Sequence, residues 1–384
     1  MYHVKRALAA LVAAVTLLSF AACHKAGETV LTIEGVEIPS GIYLALQIQT
    51  FNQFTTSVQE TVSSGVTVSS FDDYKEQTLD GISYVEWVRQ NTMVAAKQYA
   101  AVEKLFEEYG LALNEEDETS LTSMVDFYWN NQYYNYAAMF EPNGVSKASY
   151  TELMRNTIKR NKVFLYHYDK AGDDGKGGLS PVPDEELKKV FDDTYILADT
   201  LTVPTTQSSD SSGSTVSLGE EEIAAIKEKL DGYAERINSG KATFAQIQKE
   251  YNGTEDENDT SSTSSGTETE KSEKFPTATI MTEDSNATLF GLLKSKKAEE
   301  GFGYEKAYVI QDTSSYYLAV LHDVTTDPFY MDNAQYRSTV LYALREDTFN
   351  TLLNEKSANY NVSQDDGLIR YYSPKKIKDP TSSK

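Results

Sequence analysis

The sequence predicts an α+β fold, with a mostly helical domain built from both ends of the chain and a small β-α domain inserted between them. Three observations predict it. Apolar residues recur at three- and four-residue spacing through long stretches before Tyr168, and again from Asn333 to Tyr360. From Tyr195 to His322 the pattern changes to short extended runs separated by shorter helices. Two stretches dominated by Ser, Thr, Gly, Asp and Glu, Thr205 to Gly219 and Gly253 to Lys274, fall in that middle part. Neither carries enough apolar surface to offset its ordering entropy, so disordered insertions are expected at 205–219 and 253–274. The division expected is a leader over 1–22, a helical domain over 23–192, the inserted domain over 193–327, and over 328–384 a helix returning to the helical domain, then a polar tail.

The leader reads as an export signal peptide. Lys5 and Arg6 form a short basic start, and Ala7 to Phe20 is an uncharged run rich in Ala, Leu and Val. That run is shorter than the ~20 residues a membrane-spanning helix needs. Phe20-Ala21-Ala22-Cys23 follows, with small residues directly before the only cysteine of 384 residues. It resembles the lipobox of bacterial lipoproteins, with Phe20 where leucine is usual. The resemblance implies cleavage after Ala22 and a diacylglyceryl group on the Cys23 sulfur. Two acyl chains, at ~0.8 kcal/mol per buried methylene, would hold the protein firmly on the outer face of the membrane. The other reading is an ordinary signal peptide with Cys23 a bystander. A lone thiol in an oxidising compartment is a liability, which favours the lipid.

Beyond the leader, Thr29 to Ile38 reads as two extended segments around Glu34-Gly35, and Pro39-Ser40 opens a helix carrying Tyr43, Leu44, Leu46 and Phe51. Ser57 to Ser70 is polar and reads as loop. A longer helix is expected from Ser83 to Tyr109, ended by Gly110. Another, rich in aromatics, is expected over Glu115 to Phe140. A third opens with a capping box, Ser149 to Glu152, and runs to Tyr168. Pro183-Asp184-Glu185-Glu186 starts a short helix with acids in its first turn. The inserted domain then reads β-α-α-β-α-β-β: Tyr195 to Val203, Ser217 to Asn238, Phe244 to Tyr251, Thr277 to Met281, Ala287 to Lys297, and a hairpin of Ala307 to Gln311 with Tyr316 to His322. The returning helix places Tyr336, Val340, Leu344 and Leu352 on its apolar side.

Charge and motifs remove several function classes. With 35 basic against 58 acidic residues, nucleic acid is not an expected partner. One cysteine excludes disulfides within the chain, and no metal or other cofactor is implied. There is no H-E-x-x-H, P-loop or G-x-S-x-G. Asp169 to Gly178 lacks the alternating acids of a calcium loop and reads as a polar linker. Of the four histidines, His167 and His322 read as ordinary surface or packing residues.

The order of elements, helices, then a β-α domain, then a long returning helix, resembles the extracytoplasmic foldases of the PrsA and SurA type. Val30-Leu31-Thr32-Ile33-Glu34-Gly35-Val36-Glu37-Ile38-Pro39 is similar to the start of their chaperone domains. Asn143 to Lys147 and Asp184 to Phe191 also fit the family's habits. Ile237-Asn238-Ser239-Gly240-Lys241-Ala242-Thr243-Phe244 through Tyr251 resembles the parvulin pattern L-x-x-G-x-x-F-x-x-L-A-x-x-Y-S.

Parvulins catalyse rotation about X-Pro bonds, a barrier of ~18 to 20 kcal/mol. The resemblance implies a histidine in the first strand and another in the last. Ala198-Asp199-Thr200-Leu201-Thr202-Val203 covers A-x-H-I-L-V, which puts Thr200 at the first, and Ser315-Tyr316-Tyr317-Leu318 covers G-Y-H-I, which puts Tyr317 at the second. The family's cysteine or aspartate falls near Thr254, and its G-G-D-L-G turn has no counterpart. No catalytic residue is therefore assigned. The function expected is that of a membrane-anchored chaperone or foldase-like lipoprotein that binds unfolded or exported polypeptides, with isomerase activity lost. The rivals are a surface lipoprotein with one specific envelope partner and an active isomerase. A homodimer is one arrangement the resemblance allows. Tyr133, Tyr134 and Tyr136, in the chain's densest aromatic run, are the candidate client-binding residues, with core packing as the alternative.

Overall fold

The first described strands form around a turn that only a special backbone permits. The computed structural model describes residues 27–61, 70–131, 135–172, 175–209, 214–253 and 272–379. Strands β1 (Thr29–Ile33) and β2 (Val36–Pro39) pair antiparallel across Glu34 and Gly35, both at positive φ, 48° and 83°. Glu34 is held there by Asn361: its N–H donates to the Asn361 carbonyl at 2.9 Å, and its carboxylate accepts from the Asn361 N–H at 3.0 Å. The other edge of β1 pairs with the strand Val362–Gln364.

The described residues divide into two compact units. One comprises residues to Pro181 together with Glu346 onward, and the other Val182–Arg345. In the first, the helices Ser40–Thr61, Tyr84–Glu108, Glu115–Asn130 and Lys147–Tyr168 enclose a core of Leu31, Ile33, Ile38, Tyr43, Leu46, Tyr99, Leu121, Trp129, Phe140 and Tyr150. The 115–130 helix starts at a capping box in which Asn114 and Asp117 satisfy each other's backbone N–H groups. A second cluster joins Phe51, Phe54, Val58, Leu79, Tyr84 and Val88 to Ile377 near the C-terminus. The short helix Phe71–Lys75 and the two-residue strands β3 (Thr78–Leu79) and β4 (Ile82–Ser83), which no periodicity announced, lie beside it.

In the second unit, β5 (Ile196–Pro204), β8 (Thr279–Met281), β9 (Ala307–Gln311) and β10 (Ser315–His322) form an antiparallel sheet in the order β8-β5-β10-β9. Helices Glu220–Asn238 and Phe244–Asn252 cover one face through Leu230, Tyr233, Phe244 and Ile247. Helix Ala287–Lys297 covers the other through Leu289, Phe290 and Leu293. Every residue of β10 is buried, as a central strand covered on both faces requires.

Several expectations need correction. The 205–219 stretch is not structureless: β6 (Thr206–Ser209) and β7 (Ser214–Ser217) pair as a hairpin. Composition limits what side chains can bury, whereas backbone pairing needs no apolar side chain. Most of 253–274 lies outside the described residues, but its end is anchored, since Ser272 is 2% exposed and its hydroxyl donates to the Asp327 carboxylate. The loop expected from Ser57 is helical to Thr61. The helix expected over Glu115 to Phe140 is two, Glu115–Asn130 and Tyr136–Phe140. Helix Lys147–Tyr168 begins two residues early because Ser146, not Ser149, caps it. The polar tail contains a strand, a helix (Asp366–Tyr371) and buried Leu368 and Ile377.

The 184–194 helix, placed with the helical domain from sequence, belongs to the second unit. Glu186 forms a bidentate pair with Arg345, and Asp192 accepts from the Tyr304 hydroxyl at 2.6 Å. Along Ala334–Ser357 the buried apolar residues are Val340, Leu341, Phe349 and Leu353, not Leu344 and Leu352. No single stripe forms because this helix serves a different unit at each end.

Within the first unit Phe349 is wholly buried, edge-on to Phe164 at 5.3 Å and beneath the Arg160 guanidinium at 5.0 Å. Phe349→Ala is expected to cost about 3 to 5 kcal/mol, read as a lower denaturant midpoint. A change under about 1 kcal/mol would show that the returning helix contributes little to that core.

Candidate functional site

The two positions where the resemblance calls for histidines share one face of the second unit's sheet. Antiparallel register sets Thr200 opposite Ala319, and Tyr317 opposite Thr202. Both lie on the face covered by helix 287–297, where Tyr317 packs with Ile196, Ala198, Ala319 and Phe290. Thr200 is half-buried. The Tyr317 hydroxyl donates to Asp312 Oδ2 at 2.8 Å, while Asp312 Oδ1 accepts from the N–H groups of Ser314 and Ser315. Burial and the neighbouring carboxylate both raise the Tyr317 pKa. Burial would raise that of Asp312 too, but its hydrogen bonds outweigh this and hold it low. The pair is therefore a neutral phenol on an ionised carboxylate, able to orient a donor but not to exchange a proton near neutrality.

The opposite face carries a titratable cluster at the end of the same strands. His322, expected to be an ordinary residue, is 7% exposed, with both ring nitrogens engaged. Nε2 meets Asp199 Oδ2 at 3.0 Å and Nδ1 meets both Glu305 oxygens at 2.9 and 3.0 Å. Ionised carboxylates on both nitrogens call for a donor at each, which the imidazolium supplies. Burial lowers its pKa, but the bonds to Asp199 and Glu305 outweigh that and raise it above 6.5. The Phe275 ring lies against it, tilted by 31° with centroids 4.4 Å apart. Asp199 Oδ1, also buried, has no hydrogen-bond partner among the described residues. Two signals could have found this cluster: an acid inside the apolar run Ile196 to Val203, and the antiparallel register that makes Asp199 and His322 diagonal neighbours.

In the first unit, Tyr136 is half-buried, stacked on Tyr128 at 5.5 Å and edge-on to Phe140 and Tyr150. It packs at the margin of the core. Tyr133 and Tyr134 lie outside the described residues, as do Cys23, the leader and the neighbourhood of Thr254. No helix among the described residues is long and apolar enough to cross a membrane.

Several open clefts mark this unit, and the sequence announces none of them; the one lined mostly by aromatic and aliphatic side chains and by amides is about 210 Å³ in volume. Ile48, Phe51, Phe71, Met139 and Ile377 supply its apolar lining, and Asn52, Thr55, Gln59 and Asn143 its polar groups. Phe71 lies 4.9 Å from Phe51, and Gln59 Nε2 donates to the Tyr74 hydroxyl at 2.6 Å. Its walls come from the 40–61 helix, the 71–75 helix, the Tyr136–Phe140 helix with the turn after it, and residues Ile377 to Asp379, so no local pattern marks it. An apolar trough edged with amides can cover an apolar side chain while hydrogen-bonding the backbone that carries it.

No protein-family model matches this sequence, and no curated protein matches it. Among solved structures the chain is similar to the foldase protein PrsA of Streptococcus pneumoniae, at 15% identity and a TM-score of 0.34, over 78% of this chain and 98% of that one. It is also similar to a chain from the structures of PEB4 and Cj1289, two SurA-like chaperones of Campylobacter jejuni. There the identity is 10% and the TM-score 0.25, over 88% of this chain and 100% of that one.

The His322 cluster predicts a pH dependence. Its folded pKa is raised, so the stability it contributes is complete below 6.5 and is lost as pH rises through the folded value. Denaturant midpoints measured from pH 6.5 upward should fall for the wild type and run lower and flatter for His322→Gln. Parallel slopes for the two proteins would mean that the cluster is not the source.

Proposed function

We propose that this protein is a lipid-anchored extracytoplasmic chaperone of foldase type, whose first unit binds exported polypeptides before they fold. The observation that carries this reading is one cleft of that unit, in which aromatic and aliphatic side chains are edged by Asn and Gln amides. Aromatic rings offer large contact area without demanding one sequence, and the amides meet a backbone that every client shares. An apolar segment held there is removed from the pool that aggregates. The strongly acidic balance keeps the loaded protein soluble.

Its second unit is a parvulin-like domain that no longer isomerises. The β-α-α-β-α-β-β order and the helices on both sheet faces support the likeness, with the β6–β7 hairpin as an addition. Thr200 and Tyr317 supply no imidazole at the two positions in question, and the Tyr317 hydroxyl is already committed to Asp312. Cys23 is the anchor, and the lipid on its sulfur confines the chaperone to the outer face of the membrane, where exported chains emerge.

Two measurements test this. The chain from His24 onward should suppress aggregation of a denatured model protein at near-equimolar ratio, without accelerating proline isomerisation of a short peptide in the same sample. No suppression would sink the chaperone reading in favour of a lipoprotein with one specific partner, and accelerated isomerisation would overturn the loss of activity. Replacing Cys23→Ser in the full-length chain should move the exported protein from the membrane to the soluble fraction. Retention on the membrane of chains from which the leader has been removed would exclude the lipid as its anchor.

A further inference from the structure

The last described residues lie against the first unit in a way that uses few of their own side chains. Gln47 Nε2 donates to the Tyr372 carbonyl at 2.9 Å, and the Tyr84 hydroxyl donates to the Pro374 carbonyl at 2.6 Å. Asn143 takes both backbone groups of Lys378, accepting from its N–H at 2.7 Å and donating to its carbonyl at 3.2 Å. A side-chain amide bonded in this way does what the backbone of a neighbouring strand does, and it reads no side-chain identity. Within Ser373–Lys378 only Pro374 and Ile377 are buried, while Lys375, Lys376 and Lys378 are exposed. Ile377 sits among Phe51, Phe54, Val58, Leu79, Tyr84 and Val88. The open cleft begins where this segment ends, with Ile377, Lys378 and Asp379 forming part of its lining.

These contacts amount to a recognition mode: backbone groups held by amides and a hydroxyl, one proline and one aliphatic side chain inserted, and lysines left in solvent. We propose that the client groove continues from the open cleft beneath residues Ser373–Asp379, which fill that end of it and wall the open part, and that this end accepts a foreign polypeptide segment of the same chemistry in their place. That chemistry is a segment with a single 3-10 turn, an aliphatic residue three positions after a proline and basic residues around it. The charge balance argues for the basic flanks, since 58 acidic residues against 35 basic ones attract a cationic segment at long range while the contacts themselves ignore its charge. The inference rests on the chaperone reading and adds to it the class of segment bound and a built-in competitor. Binding by the intact chain is weakened by the fraction of molecules whose groove is already filled.

A labelled peptide of residues Ser373–Asp379 tests this by fluorescence anisotropy. A chain ending at Tyr372 should bind it at least tenfold more tightly than the chain that runs to Lys384, and a peptide carrying Ile377→Asp should not bind. Ile377→Ser in the otherwise intact chain evicts the internal segment without shortening the protein and should also bind the wild-type peptide several-fold more tightly. Adding Asn143→Ala to the shortened chain should weaken it again. Equal binding by intact, shortened and Ile377→Ser chains, each with unchanged circular dichroism, would overturn the proposal, as would equal binding of the two peptides. The two readings can fail separately. Peptide binding gained on shortening, without any suppression of aggregation, would uphold the groove and sink the chaperone. Suppression that is the same in both chains, without peptide binding, would sink the groove alone.

Discussion

The pairing of β1 with a strand from the far end of the chain is the constraint on which the rest depends. β1 is the middle strand of its sheet, with β2 on one edge and Val362–Gln364 on the other. Neither edge strand exceeds four residues, so the sheet persists only because β1, Ile38 and the 40–61 helix share one apolar core. Asn361 and Glu34, 327 residues apart, fix the register by exchanging backbone and carboxylate hydrogen bonds. Loop-closure entropy grows only with the logarithm of length, so bringing the ends together costs little more than closing a far shorter loop. Once they are joined, everything from Val182 to Arg345 is an excursion that leaves the first unit and returns to it.

That arrangement explains why the C-terminal residues carry structure although their sequence is polar. The chain after Gln364 remains beside the helices that its own strand has helped to place. Leu368 and Ile377 find apolar partners there, and Gln47, Tyr84 and Asn143 find carbonyl and N–H groups. Buried or half-buried amides need such partners, because an unsatisfied one costs about 1 to 3 kcal/mol. A segment with a single aliphatic and a single proline anchor is thereby ordered by contacts that any chain of similar make-up could offer.

The inserted unit obeys a different balance. Its β10 is buried on both faces, so each polar group it carries must be matched within the unit. Tyr317 on one face meets Asp312, and His322 on the other meets Asp199 and Glu305. The first pair holds no proton available near neutrality, whereas the second holds a cation whose removal leaves two carboxylates facing one ring. Ionisable chemistry in this sheet is thus concentrated in the His322 cluster, away from the face that Thr200 and Tyr317 share.

Periodicity alone determined the long helices, the short extended runs and the change of pattern at Tyr195, because each depends on residues within a few positions of one another. The tight turn at Glu34-Gly35 was legible for the same reason. Pairings made by backbone groups left little mark in composition: the hairpin Thr206–Ser217 and the strand Val362–Gln364 each carry one valine, exposed, among polar residues, and both stretches looked structureless. The buried face of Ala334–Ser357 was likewise illegible, since one helix serving two units shows no single stripe. Three-dimensional register brought Asp199 to His322, and packing of four separated segments made the cleft around Phe51 and Phe71. Local spacing determines which element a residue joins; only the closed fold decides what stands opposite it, because those partners are tens to hundreds of residues away and meet through hydrogen bonds and shape that no window of sequence contains.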